Sequence, residues 1–107
     1  MRRGAENGRL APMQRPHRLE DSRVGEWLQI HTSWKHEGDA LVRAFTFKDF
    51  SEALAFVVRV GLLAEKHDHH PDVQLGFGKA QVLWTTHDAK GVTELDLKLA
   101  ESTTALL

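Results

Sequence analysis

The chain contains no cysteine, which excludes disulfides, a thiol nucleophile and thiolate metal ligands. It has no surplus of charge either. The 14 Lys and Arg against 15 Asp and Glu leave a net charge of −1, so no basic field exists to hold nucleic acid directly. No apolar run approaches the ~20 residues of a membrane span, and the N-terminal stretch lacks the apolar core of a secretion signal. These absences lead us to expect a cytoplasmic protein with no nucleic-acid or membrane partner. There is no G-x-S-x-G elbow and no H-E-x-x-H pair, so nucleophilic hydrolysis and the zinc-protease pattern find no support. Gly76-Phe77-Gly78 is rich in glycine but falls inside a hairpin pattern rather than between a strand and a helix, which argues against a nucleotide loop. Tandem repeats and low-complexity tracts are missing too.

At 107 residues the chain has room for one domain with a single modest core. Residues 1–16 carry Arg2, Arg3, Arg9 and Arg15 with few large apolar groups and read as a disordered tail, leaving residues 17–107 as the domain. From Leu19 to about His31 the pattern predicts a short helix begun near Asp21 or Ser22. Trp34 to Leu41 reads as a strand entering a turn at Gly38, with Leu41 to Phe47 returning as its partner. Asp49 and Glu52 form a capping-box pattern that opens a long helix through about Lys66. Its expected buried stripe is Phe50, Ala53, Leu54, Val57, Val60, Gly61 and Ala64. Phe56, Val58, Leu62 and Leu63 spread apolar character beyond one face, more than a sheet can cover, and this predicts a second subunit against the helix.

Histidine is what the chain has in quantity. Four of its seven imidazoles, His67, His69, His70 and His87, lie between Ala64 and Asp96. Val73, Leu75 and Phe77 alternate with polar residues as one strand, and Ala80 to His87 reads as the next. A two-residue loop at Gly78-Lys79 sets Leu75 opposite Val82, Val73 opposite Trp84 and His70 opposite His87, bringing two distant imidazoles to one end of a sheet. Thr93 and Asp96 then begin a last helix with a second capping-box pattern, and Asp96 falls on the apolar side with Val92, Leu99 and Ala100. An acid there either orients a nearby histidine or caps its own helix. The order α-β-β-α-β-β-α predicts an α+β domain, a four-stranded antiparallel sheet with helices packed on one face.

Three chemistries fit such a histidine group. A metal site would draw on His67, His69, His70, His87, Asp68 and Asp96, although adjacent His69 and His70 do not easily point into one sphere. General acid–base catalysis suits imidazoles that can both accept and donate protons. A structural role, capping carbonyls at the helix–strand junction, suits any one of them taken alone.

The residues Glu65-Lys66-x-Asp68-His69-His70-Pro71, then Thr86-His87-x-x-x-Gly91-Val92-Thr93-x-x-Asp96 and Leu99-Ala100, resemble the pterin-4a-carbinolamine dehydratases. Phe45-x-Phe47-x-Asp49-Phe50 and Ala64 extend the match, which covers roughly Leu19 to Glu101. The resemblance implies removal of water from a 4a-hydroxytetrahydropterin to give quinonoid dihydropterin, recycling the tetrahydrobiopterin used by aromatic amino-acid hydroxylases. It implies no metal and no other cofactor, a small pterin substrate, and a homodimer or homotetramer. Family pterin contacts map onto His69, His70, Pro71, Thr86, His87, Asp88 and Ala89, and supporting acids onto Glu65, Asp68 and Asp96. By this reading His69 and His87 transfer protons near the departing hydroxyl, while His70 holds the ring and assists deprotonation. The chain departs from the family at Val73, Phe77 and Leu95, where an aromatic residue, a tyrosine and an arginine are usual, and His67 is an additional imidazole. Some relatives act instead as dimerisation partners of a transcription factor, and for such a protein the long apolar helix would carry the function.

Overall fold

Asp49 opens the longest helix as its pattern predicts: the carboxylate accepts from the Glu52 N–H at 2.9 Å, satisfying one of the donors that every helix start leaves free. The computed structural model describes residues 17–107, and the basic stretch of residues 1–16 lies outside them. Along the chain run α1 (Asp21–Ile30), β1 (Lys35–Glu37), β2 (Ala40–Thr46), α2 (Phe50–His67), β3 (Asp72–Gly76), β4 (Lys79–Trp84), a 3₁₀ turn (His87–Ala89) and α3 (Glu94–Thr104). The four strands form one antiparallel sheet in the order β1-β2-β4-β3. This is the expected α+β arrangement.

The period of two along the strands sorts the side chains by face. Leu41 and Phe45 of β2 pair with Trp84 and Ala80 of β4, and all four are buried together with Val82. Onto this face pack Val24 and Trp27 of α1, Phe56, Val60 and Ala64 of α2, and Leu97, Leu99 and Ala100 of α3. Ala44, Thr46, Asp72 and Gln74 lie on the opposite face and are exposed. His31 is half-buried and stacks on Trp27 with ring centroids 4.2 Å apart.

Two expectations need correction. In α2 the fully buried residues are Ala53, Phe56, Val60 and Ala64: three come from the expected stripe, while Phe56, expected outside it, turns inward. Phe50, Leu54, Val58 and Leu62, spaced four apart, form an exposed apolar row, and Gly61 beside them is exposed as well. In the second hairpin the loop is Phe77-Gly78, because Gly76 pairs with Lys79. Gly78 takes the positive φ of 67° at the second loop position, and its carbonyl accepts from the Phe47 N–H at 2.8 Å. A Cβ at Gly78 would sit 3.0 Å from the Phe47 carbonyl oxygen, so any other residue would both strain the turn and press that carbonyl back. Leu75 therefore faces Ala80, and Val73 faces Val82. The slip is two residues, which keeps every side chain on its expected face.

Candidate active site

Helix α2 ends where the chain must turn toward β3. Asp68 takes the left-handed conformation, φ 50°, and its N–H closes back on Ala64 and Glu65 carbonyls, while Pro71 disfavours any further helical residue before it. His69 and His70 thus fall in the short connection at the end of the sheet. On the neighbouring strand the chain leaves β4 through Thr85, forms the His87–Ala89 turn, and doubles back so that Thr86 and Gly91 pair as a bridge. Asp68, His69, His70, Pro71, Asp72, Thr85, Thr86, His87 and Asp88 line one open cleft of about 420 Å³.

Asp96 stands behind this cleft, fully buried in the first turn of α3. The two roles open to it in the sequence are both filled, one by each oxygen. Its Oδ1 lies 2.8 Å from His69 Nε2. Its Oδ2 accepts from the Thr93 backbone N–H at 2.9 Å, which caps α3, and from the Thr86 hydroxyl at 2.7 Å. Thr93 Oγ1 lies 2.9 Å from Thr86 Oγ1 and 3.2 Å from Asp96 Oδ2, so its single proton has an acceptor on either side. Each neighbour can donate and the carboxylate can accept from all of them. His69 accordingly carries its proton on Nε2, leaving Nδ1 as the free ring nitrogen. The ring is 14% exposed, against none for Asp96.

His70 is tied differently. Its Nε2 lies 2.6 Å from Glu65 Oε1, a pair whose members are 55% and 76% exposed. The His87 side chain is exposed and has no hydrogen-bond partner among the described residues. The expected His70–His87 facing pair is not formed, because the ladder stops at Asp72 opposite Leu83 and runs in the other register. Both imidazoles nevertheless line the same cleft. Ala89 does not line it, and its N–H donates to the Thr86 carbonyl at 3.1 Å inside the turn. His67 points its Nδ1 at the Leu63 carbonyl, 3.1 Å away, on the helix outside the cleft. Among the described residues no three His, Asp or Glu side chains gather as a metal ion would need.

Sequence reasoning gave no role in the site to Thr93 or Trp84. Thr93 was legible only as a cap, since nothing in the spacing shows its hydroxyl reaching Thr86. Trp84 stacks against His69 with centroids 5.8 Å apart, a contact between the end of β4 and the connection before β3.

Comparison with known proteins shows the family. Residues 17–106 match the family model described as pterin 4 alpha carbinolamine dehydratase. A protein of Thermomicrobium roseum bearing the name "Putative pterin-4-alpha-carbinolamine dehydratase" is 48% identical over 83 residues, covering 78% of this chain and 89% of that one. A protein of the same name from Rhizorhabdus wittichii is 43% identical over 90 residues, 82% of this chain and 93% of its own length. Among solved structures, the transcriptional coactivator/pterin dehydratase of Brucella melitensis superposes with a TM-score of 0.80 at 39% identity, over 84% of this chain and 98% of that one. With the family model matched along almost all of the described residues, this chain belongs to the pterin-4a-carbinolamine dehydratase family.

Proposed function

We propose that the protein is a dehydratase that removes water from a 4a-hydroxytetrahydropterin, with His69, His70 and His87 as its acid–base groups. The observation that carries this reading is the His69–Asp96 pair, a buried carboxylate fixing the tautomer of an imidazole at the wall of a cleft that holds two further histidines. The reaction asks for two proton transfers. The hydroxyl on C4a must gain a proton to leave as water, and the proton on N5 must be lost as the C4a–N5 double bond forms. Protons and electrons balance within the substrate, so no redox partner is required. His87, exposed and without a partner among the described residues, is free to approach a hydroxyl as proton donor. His69 offers a fixed Nδ1 to the same region, and His70, held by Glu65, supports the ring and assists the loss of the N5 proton. Pro71, Thr86 and Asp88 complete the walls, with Asp68 at the helix end. In this reading the product is quinonoid dihydropterin and the service is tetrahydrobiopterin recycling.

The purified protein is expected to speed dehydration of a 4a-carbinolamine, and His87→Ala to lower that rate at least about 10-fold, below the roughly 100- to 10,000-fold of a positioned acid because solvent can partly replace an exposed one. A wild-type protein with no effect on the spontaneous rate, or a His87→Ala variant with full turnover, would sink the assignment.

A second reading is favoured by the exposed row on α2. Phe50, Leu54, Val58 and Leu62 present one apolar stripe, and a Cβ on Gly61 would meet nothing within 4 Å of its own chain, which leaves room for another helix to come close. We take the occupant to be a second copy of this chain, giving a homodimer or homotetramer; a partner-binding role without catalysis is the alternative. Leu54→Glu should lower the sedimenting mass to that of one chain while leaving turnover per chain within about threefold, because a single surface charge three turns of α2 before Glu65 costs the fold little. A wild-type protein that already sediments as a monomer would remove the homo-oligomer.

A further inference from the structure

Asp96 holds His69 at a single atom. One hydrogen bond at Nε2 leaves the imidazole free to swing about the N–O line, so it cannot by itself aim Nδ1 into the cleft. Trp84 removes that freedom. The two ring planes lie 7° from parallel with centroids 5.8 Å apart, an offset stack. A flat face parallel to the imidazole restricts both tilt and swing, which a rounded aliphatic side chain of similar bulk would not do.

The indole is itself fixed. Trp84 is fully buried, its Nε1–H donates to Thr103 Oγ1 at 3.0 Å, and the Thr103 hydroxyl donates in turn to the Leu99 carbonyl at 2.7 Å. Asp96 and Thr103 are both buried and stand seven residues apart on α3, two turns or about 10.5 Å along one face. One rigid helix therefore sets both supports of the imidazole: its edge through Asp96 and its plane through Thr103 and Trp84. We propose that Trp84, held by Thr103, is a positioning residue that fixes the ring plane of His69 and hence the direction of Nδ1, an inference that rests on the catalytic role given to His69 above.

The test joins turnover to the ¹⁵N spectrum of the His69 ring, which separates the Nε2–H from the Nδ1–H tautomer and shows when the two average. Trp84→Leu should lower kcat about 10-fold with KM changed by no more than about twofold, the pattern of a catalytic group present but badly aimed. Its His69 signals should move toward the tautomer average. Trp84→Phe, which keeps a flat face, should recover most of kcat and an unaveraged signal. The assignment is overturned if Trp84→Leu matches the wild type in both readouts, or if Trp84→Phe fails as badly as Trp84→Leu. Should Trp84→Leu not fold, Thr103→Val decides: it leaves the indole packed but takes away its acceptor, and partial averaging with a smaller fall in kcat is required, while no change in either overturns the role. The spectrum needs no turnover. An inactive wild type with a sharply fixed His69 would therefore end the dehydratase reading and leave this one standing.

Discussion

Asp96→Ala is expected to lower stability by roughly 3–5 kcal/mol and to abolish most turnover, the first because it strands several buried donors at once. The Thr93 N–H, the Thr86 hydroxyl and His69 Nε2 all lose the oxygen they point at, a carboxylate that is itself fully buried. Asp96→Asn separates the two oxygens. An asparagine carbonyl can still accept from Thr93 and Thr86, so the cap survives and the cost in stability should be about 1–2 kcal/mol. Its amide, however, presents N–H where His69 also carries N–H. The imidazole must then move its proton to Nδ1 or break the contact, and either change takes the free nitrogen away from the cleft. Turnover should fall on the order of 100-fold or more in Asp96→Asn, nearly as far as in Asp96→Ala, although the two differ in urea midpoint. If Asp96→Asn keeps wild-type turnover, capping is all that Asp96 does.

That split role also shows what the sequence could and could not reveal. Thr93 and Asp96 are recognisable as a cap, and the apolar side of α3 places the acid inward, so the sequence leaves both functions of the carboxylate open. Which of them applies was undecidable from spacing alone, because a carboxylate has two oxygens and one can serve each. The second hairpin went wrong at a single residue. Phe77 continues the alternation of Val73 and Leu75, so it looks like strand; it is in fact a loop residue with its ring in solvent. What decides the loop is the tertiary contact between Gly78 and Phe47, thirty-one positions earlier, and no local pattern reports it. A slip of two preserves faces, so the histidines still reached one cleft although His70 and His87 are not cross-strand partners. In α2 the expected inward stripe holds at Ala53, Val60 and Ala64 and fails at Phe50, Leu54 and Phe56 for a related reason. The helix is apolar on two sides, and when Phe50, Leu54, Val58 and Leu62 compete with Ala53, Phe56, Val60 and Ala64, periodicity finds two answers and only the sheet selects one.

His69→Gln should produce the largest loss of activity that leaves the fold intact, about 100- to 1,000-fold in kcat. Glutamine can still donate from its amide to Asp96 Oδ1, so no buried acceptor is orphaned, but it has no nitrogen that takes up and releases a proton near neutrality. The other histidines set the scale. His70 and Glu65 form a pair in contact with solvent, where an ion pair contributes about 0–1 kcal/mol and water screens its field. Glu65→Gln should therefore change turnover by no more than about threefold, and His70→Gln should act on KM more than on kcat, as expected of a group that holds the ring. The order His69 above His70 above Glu65 follows from burial. A proton-transfer group shielded from water and fixed by a carboxylate takes up and releases a proton along one direction, whereas an exposed one shares that task with solvent. Equal losses in His69→Gln and His70→Gln, measured as kcat on one carbinolamine, would show that the Asp96 pair confers nothing that the exposed pair lacks, and the catalytic centre would have to be redrawn around His70 and His87.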